Sequence, residues 1–427
     1  MQPTWPNLTS PLDLANWPAS TARQEALDVL LWLGAAMLRS GSTASRTHEA
    51  MRLMAHRMGF DAVSLSLTAD TVIASVRRDG ERVTGMREVG PQGINAWRIG
   101  ELEQFVKAAG PDVSPRELAN KLAEIESKPP RYPELTIALA LAAASAGFAF
   151  LNGGPPLEMA GAAVGGGVGH LCRSWLSRQG VSPYGVVAAS AAAASGVYVL
   201  VAAAAGYAGL GLTRHPAGFI SSVLFLVPGF PLIAGLFDLL RHQTVAAVSR
   251  FAYGAMLLLA VTFGLGIVIA VTGVDLARQP PLELAYPLKL LLRGAASFVA
   301  GCAFAMLYSS APRLVLAIGL LALGANELRL LLTDAGMMLA PATFFGALAI
   351  GLVALLVDQR WGVPRIVMAV PAIIIMVPGV YAFEMIIAFY RGNVIEAIQA
   401  SASCAFVIGA LAMGLAAARL GVRLTRS

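Results

Sequence analysis

The sequence predicts an all-α membrane protein of ten transmembrane helices, arranged as two five-helix inverted repeats, preceded by an N-terminal cytoplasmic α+β domain. Three observations lead to this fold class: a fall in charge after the first third of the chain, a series of apolar runs of spanning length, and a Pro-Gly interruption that occurs twice. Only 13% of the 427 residues are charged, about half the share in soluble proteins. This composition does not fit a soluble two-domain enzyme, a disordered chain or a disulfide scaffold.

The charge is distributed unevenly along the chain. Residues 1–133 hold 15 Lys/Arg and 15 Asp/Glu, whereas residues 134–427 hold only 16 and 10. The first third is thus composed like a water-soluble domain and the remainder like a membrane protein. The whole net charge of +6 lies in the membrane part, so it indicates arginines at cytoplasmic helix ends rather than a nucleic-acid surface.

Residues 1–20 are predicted to be a flexible tail. They lack the apolar core of a signal peptide, so the domain that follows, residues 21–133, is expected to remain in the cytoplasm. In that domain Asp79-Gly80 predicts a hairpin. The predicted elements are helices over 21–41 and 42–58, strands over 63–67, 72–78 and 82–89, and helices over 94–109 and 114–127. A proline cluster at 129–133 ends the domain.

Beyond the proline cluster, ten apolar runs have about the 20 residues needed to cross a bilayer core. Five belong to a first membrane module, residues 134–273, and five to a second, residues 284–420. The expected spans are 134–151, 157–177, 183–206, 217–240, 246–272, 284–308, 313–332, 336–357, 364–390 and 396–420. With a cytoplasmic N-terminus, eleven arginines lie on the inner side and six Arg/Lys on the outer side, which favours both termini inside.

Two of the spans contain the same interruption. The fourth reads Val227-Pro228-Gly229 and continues through Phe230 to Pro231, and the ninth reads Val377-Pro378-Gly379, 150 residues later. Proline removes a helical hydrogen bond, so both helices should kink or unwind inside the membrane. Each block has an odd number of spans, which places the second copy upside down. Inverted repeats with broken helices at matching positions are typical of secondary transporters, whose substrate binds where the broken helices meet. We therefore expect the substrate site at the Pro and Gly residues of these two interruptions. The alternative is chance, since Pro and Gly are common in membrane helices.

The residues around the first interruption resemble a known family. Pro228-Gly229-Phe230-Pro231-Leu232, followed by Asp238, resembles the signature of the threonine/serine exporters, which include split relatives implicated in dicarboxylate export. The resemblance covers about residues 25 to 420 and includes both Pro-Gly elements. It implies proton-coupled export of a small amino acid or a carboxylate through ten spans of a bacterial inner membrane, by an antiporter. After Asp238 the chain departs from the family's Gly-containing pattern, which leaves the substrate open.

Ionisable groups within spans are candidates for the substrate and proton pathway. Asp238 and Glu384 follow the two interruptions. Asp238 could equally be an interfacial carboxylate paired with Arg241, three residues on. Glu384 lies seven residues, about 10 Å of helix, before Arg391. We therefore expect Glu384 to be the carboxylate that titrates or binds a substrate amine.

Basic and amide groups of the second module are the other candidates. Lys289 and Arg293 share one helix face and could bind a substrate carboxylate, or extend to the outer interface. Asn326 and Glu327, with Arg329 beside them, form a second polar cluster that could instead neutralise itself near the surface. The expected partners are the small substrate, protons and membrane lipids, with a homo-oligomer as an option.

The remaining motifs predict packing rather than chemistry. The glycines between 161 and 169 have no following Lys-Ser/Thr, so they indicate close helix packing and not a phosphate loop. Cys172, Cys302 and Cys404 are too far apart for a metal site, and neither a metal nor a cofactor is expected. Two alternatives to an exporter remain: a membrane-anchored hydrolase or transferase, for which no nucleophile–base motif is present, and a channel gated by the soluble domain.

Overall fold

The computed structural model describes residues 19–90, 93–209, 216–274, 283–390 and 392–424. The described chain forms two compact units, one within Met1–Gln92 and Glu101–Lys128, and the other within Gly93–Gly100 and Pro129–Ser427. The tail predicted at 1–20 lies almost entirely outside the described residues. Residues 93–100, which the sequence places in the soluble domain, group with the second unit.

The first unit is built from helices and one small sheet. A three-stranded antiparallel sheet has the order β1-β2-β3, and Asp79 and Gly80 form its tight turn with φ of 54° and 81°. The Ser114 side chain caps α4 by accepting the Glu117 N–H at 3.1 Å. The elements are α1 (Ala19–Arg39), α2 (Ala44–Arg57), β1 (Ala62–Leu67), β2 (Thr71–Arg78), β3 (Glu81–Glu88), α3 (Ala96–Ala108) and α4 (Pro115–Ser127). The secondary structure predicted for this segment is confirmed, apart from shifts of one or two residues at element ends.

One face of this sheet packs on α1. Val72, Ala74 and Val76 alternate along β2 as buried residues. A Cβ on Gly85 of β3 would lie 3.0 Å from Cδ1 of Leu31, which shows how closely the helix approaches the sheet. The hydrophobic effect of burying this face holds the unit together.

The second unit is almost entirely helical. Its elements are α5 (Glu134–Leu151), α6 (Pro156–Arg178), α7 (Pro183–Tyr207), α8 (Pro216–Ser221), a 3₁₀ turn (Leu224–Leu226), α9 (Gly229–Leu240), α10 (Thr244–Thr272), α11 (Tyr286–Leu307), α12 (Pro312–Asp334), α13 (Leu339–Trp361), α14 (Arg365–Ile373), a second 3₁₀ turn (Ile374–Met376), α15 (Gly379–Tyr390) and α16 (Val394–Leu424).

Seven of these helices are long and apolar enough to cross a membrane, and two bent pairs raise the number to as many as nine. The bent pairs are α8 with α9, at 58°, and α14 with α15, at 46°. The one predicted span that is missing from this count, 157–177, corresponds to α6, a 23-residue helix that does not meet the same hydropathy criterion. It packs between α5 and α7 nonetheless, and a count of ten stays a prediction. The division predicted between the spans 313–332 and 336–357 lies slightly later, because α12 continues to Asp334 and α13 begins at Leu339.

The two halves of the second unit repeat one packing scheme. In the first half α5 packs on α6, α6 on α7, and α7 and α9 on α10; in the second half α11, α12, α13, α15 and α16 repeat these pairs in the same order. The two first helices, α5 and α11, also pack on each other, while α9 contacts α16 and α15 contacts α10. Elements of one half thus contact the other half reciprocally, as in a two-fold arrangement.

Single glycines show how closely the halves agree. A Cβ on Gly264 of α10 would lie 2.2 Å from the Ala188 carbonyl oxygen of α7. A Cβ on Gly414 of α16 would lie 2.5 Å from the Phe344 carbonyl oxygen of α13. These residues correspond at offsets of 150 and 156. Both helix crossings therefore require a glycine at the same point, where the backbones touch.

Candidate functional site

The two Pro-Gly interruptions adopt the same backbone conformation. In each, a 3₁₀ turn precedes the Val-Pro-Gly segment, and the glycine N–H donates to the valine carbonyl two residues earlier, at 2.8 Å in both copies. Pro228 has φ −77° and ψ 53°, the dihedrals of an inverse γ-turn. The prediction that both helices break is therefore confirmed, and each break takes backbone groups out of the helical hydrogen-bond pattern.

The two breaks lie directly against each other. A Cβ on Gly229 would lie 3.1 Å from Cγ2 of Val377, and a Cβ on Gly379 would lie 3.3 Å from Cγ2 of Val227. Each glycine thus contacts the valine of the opposite copy. Pro228 and Pro378, like both glycines, are buried, while Pro231 is half-buried on α9. The structure therefore brings Gly229 and Gly379, with Pro228 and Pro378 beside them, into one crossing, whereas Pro231 lies near Gly254 of α10.

Asp238 lies near the end of α9 and is fully buried. Its Oδ2 atom is 3.2 Å from Nε of Arg250 on α10, whose side chain is 1% exposed. The sequence suggested Arg241 as a partner and counted Arg250 only as a marker of membrane orientation. The structure places Arg250 in an ion pair, where two charges withdrawn from water must compensate each other.

Arg293 lies on α11 and binds Asp334 at the end of α12. Its Nη1 atom is 2.6 Å from Oδ2 of Asp334 and its Nη2 atom is 3.5 Å from Oδ1, a bidentate geometry. One turn away, the Asn326 amide of α12 donates to Oγ of Ser297 on α11 at 2.8 Å. Two of the predicted polar residues therefore link α11 to α12.

The other predicted residues are half-buried. Glu327 follows Asn326 on α12, with Arg293 and Asp334 as its charged neighbours. Lys289 lies in the first turn of α11 and makes no ion pair within the described residues. Glu384 lies on α15, five residues after Gly379. It is the predicted carboxylate that is nearest in sequence to a break.

One buried acid was missed by the sequence reading. Glu158, in the first turn of α6, is 0% exposed, and its Oε2 atom accepts the N–H of Gly218 on α8 at 3.0 Å. It therefore ties α6 to the first half of a broken helix. An acid within a predicted span is itself a signal that should have identified it.

At the crossing, backbone groups of two helices lie outside the helical hydrogen-bond pattern, and Glu384 follows the second break by five residues along α15. Within the described ranges no group of three or more His, Cys, Asp or Glu residues could hold a metal ion.

Comparisons with known proteins point to one family. A family model for threonine/serine exporters matches residues 28–272, and a second model, "Threonine/Serine exporter, ThrE", matches residues 293–420. A "Probable threonine/serine exporter" of Mycobacterium tuberculosis is 27% identical over 92% of this chain and 75% of its own length. The "Threonine/serine exporter" of Corynebacterium glutamicum is 24% identical over 91% of this chain and 78% of its own length.

A shorter relative matches about half of the chain. A "Probable succinate transporter subunit YjjP" of Klebsiella aerogenes is 26% identical over 55% of this chain and 89% of its own length. No solved structure matches the chain.

Proposed function

Because this chain belongs to the threonine/serine exporter family, we propose that it is a proton-coupled secondary exporter of a small amino acid or small carboxylate. The family and the apolar helices make it a multi-pass membrane transport protein. The observation that carries the finer proposal is the reciprocal contact of Gly229 with Val377 and of Gly379 with Val227. We place the substrate site at this crossing.

The symmetry of the crossing supports alternating access. Two copies of one fold that contact each other reciprocally are related by a two-fold axis. If each copy crosses the membrane five times, with α6 as one of the spans, that axis lies in the membrane plane and the copies are inverted. Rocking one copy against the other would then open a central site to each side in turn. Both termini would lie on the cytoplasmic side of the inner membrane.

The names of the relatives point to two classes of substrate, small amino acids and dicarboxylates. Two of them are named for threonine and serine and one for succinate. Threonine, serine and succinate all carry a carboxylate, so a cationic group near the crossing would serve any of them. An amino acid also brings an ammonium group, for which a carboxylate of the protein is the matching partner.

Glu384 is our choice for the group that couples the proton to transport. It lies on α15, five residues after Gly379, and is the candidate carboxylate nearest in sequence to a break. A half-buried carboxylate near a membrane-embedded break can exchange a proton and change its charge there.

A transport assay with the purified protein in liposomes tests this proposal. We expect a pH gradient to drive movement of labelled L-threonine, L-serine or succinate. Glu384→Gln should lower the gradient-driven rate at least about tenfold, as expected for loss of a group that transfers a proton, while exchange without a gradient persists. Glu396→Gln, an exposed carboxylate at the start of α16, is the matched control and should behave like the wild type. Wild-type liposomes that move none of the three compounds would contradict the function.

A further inference from the structure

Helices α6 and α12 correspond residue by residue at an offset of 156. Both have 23 residues, begin with proline and are followed by a glycine at positive φ, Gly180 at 72° and Gly336 at 92°. Their approach to the preceding helix is also the same. A Cβ on Gly166 would meet Ser145, and a Cβ on Gly301 would meet Ala322, the equivalent pair.

This alignment pairs Arg173 with Arg329. Across the described helical residues, it is the only pair of like-charged side chains at equivalent positions of the two repeats. Most of the other charged groups discussed above have no like-charged counterpart; Asp238 corresponds to Ala388, for example, and Glu384 to Ala234. Arg241 and Arg391 also align, but Arg241 lies in the turn after α9 and Arg391 lies outside the described residues. A charged side chain at the same position of both repeats is suited to a function that both repeats carry out.

Arg173 and Arg329 differ from two other arginines of the second unit, Arg250 and Arg293, in what their side chains bind. Arg250 and Arg293 each bind a carboxylate, whereas the guanidinium groups of Arg173 and Arg329 make no hydrogen bond or ion pair with any described residue. The Nε atom of Arg329 is buried without a partner. A guanidinium withdrawn from water is costly unless an anion compensates it.

The neighbours of these two guanidinium groups are mainly tyrosine hydroxyls, and neither guanidinium has a carboxylate that binds it alone. Tyr253 and Tyr308 are electrostatic neighbours of Arg173, and Tyr381, two residues after Gly379, is a neighbour of Arg329. Arg293 also faces Arg329, but it is held by Asp334. The acid near Arg173 is Glu134, which already accepts from Arg178 and lies 3.2 Å from His170.

Both arginines lie on helices that pack beside the broken helix of their own repeat. Four residues before Arg173, a Cβ on Gly169 would lie 3.1 Å from the ring of Phe225 in the first 3₁₀ turn. A Cβ on Gly346 would lie 3.0 Å from Sδ of Met376, in the second 3₁₀ turn, and 3.6 Å from Cβ of Arg329. Each guanidinium is therefore carried by the helix that packs beside a broken one.

We propose that Arg173 and Arg329 are equivalent anchors for the substrate carboxylate, one on each side of the membrane. The inference deepens the proposed function and rests on it. In inverted copies, equivalent positions face opposite sides, so one arginine captures the carboxylate as it enters the crossing and the other receives it before release. The planar guanidinium can hold a carboxylate by two hydrogen bonds, which an ammonium cannot reproduce.

Half-saturation constants measured separately on the two sides of oriented proteoliposomes test the assignment, with L-threonine or succinate as the probe, whichever the wild type transports. We expect Arg173→Gln and Arg329→Gln each to raise the constant about tenfold or more, on opposite sides. Arg→Lys variants should recover only part of the affinity. L-threoninamide and succinamate each have one carboxylate of the parent compound replaced by an amide. The wild type should bind them more weakly than the parent, and this difference should disappear in the Gln variant on the affected side.

Arg178→Gln and Arg313→Gln are the matched controls, because both are exposed arginines on the same two helices. If a Gln variant fails to fold, the Arg→Lys variant supplies the sided measurement. Three results would overturn the assignment. The half-saturation constants could stay within twofold of wild type on both sides, both Gln variants could change the constant on the same side, or the control variants could show effects of equal size. Absence of wild-type transport would instead refute the proposed function.

Discussion

At the scale of single residues, the ion pair of Asp238 with Arg250 is the charged contact most completely withdrawn from solvent. Asp238 is 0% exposed and Arg250 is 1% exposed. The pair joins α9, the second half of a broken helix, to α10. It therefore fixes the position of α9 after the break, at the cost of desolvating two charges.

Asp238→Asn should destabilise the protein strongly, because Arg250 would keep its buried charge without a compensating carboxylate. Breaking a buried pair from one side costs about 3–5 kcal/mol. Thermal unfolding of the detergent-purified protein measures the effect as a lower melting temperature. Lys121→Gln, which removes a partner of the exposed Glu124, is the control and should leave that temperature unchanged. An unchanged melting temperature in Asp238→Asn would show that the pair does not hold α9.

The sequence allowed the polar residues to be located, but not their partners. Asp238 was identified because it follows a break, whereas Arg250 was read as a marker of orientation, since the positive-inside rule treats arginines near helix ends alike. The pairing depends on how α9 and α10 cross. That is a tertiary contact, which hydropathy does not encode.

At the scale of elements, glycine sets the crossing of the third and fifth helices of each repeat. Gly264 lets α10 touch the backbone of α7, and Gly414 does the same for α16 and α13. A side chain at either position would collide with backbone atoms, which cannot rotate away as a flexible side chain can. Both crossings should therefore respond in the same way to substitution.

Gly264→Ala and Gly414→Ala should each destabilise the protein by about 1–3 kcal/mol, the usual cost of overpacking. The added methyl group would lie 2.2 Å and 2.5 Å, respectively, from a carbonyl oxygen. Gly266→Ala, on α10 where no atom lies within 4 Å, is the control and should be neutral or stabilising. The comparison uses melting temperatures. Tolerance of one alanine but not the other would contradict the equivalence of the repeats.

Periodicity, capping residues and Pro-Gly signals allowed the positions of the helices and strands to be predicted closely. The predicted spans agree with the observed helices and bent pairs to within a few residues at most ends, although α12 and α13 end two and four residues later than predicted. Helix α6 is harder to identify by hydropathy because its glycines and polar groups lower the mean. Its packing against α5 and α7 comes from those same glycines.

At the scale of the whole molecule, the second unit is a pair of similar five-helix copies. A match of three residues, 150 positions apart, suggested the duplication. The structure extends it to the packing order of five helices and to individual glycine contacts. That the two breaks meet was expected only by analogy with other inverted-repeat transporters, because no local signal in the sequence specifies which helices of two repeats pack together.

The central claim is that the substrate passes where the breaks meet, and transport by valine variants at the crossing tests it most directly. Gly229→Val and Gly379→Val would add bulk where a Cβ alone would lie 2.9 Å from Ile374 and 2.8 Å from Leu224. Gly206→Val, on α7 where no atom lies within 4 Å, is the matched control.

In liposomes, both crossing variants should lose at least about nine-tenths of wild-type transport, because overpacking of a fitted contact is not absorbed locally. The control should retain wild-type transport, and all three proteins should still be recovered folded. Wild-type rates in folded Gly229→Val and Gly379→Val would contradict the account, since the substrate path would then not pass through the crossing.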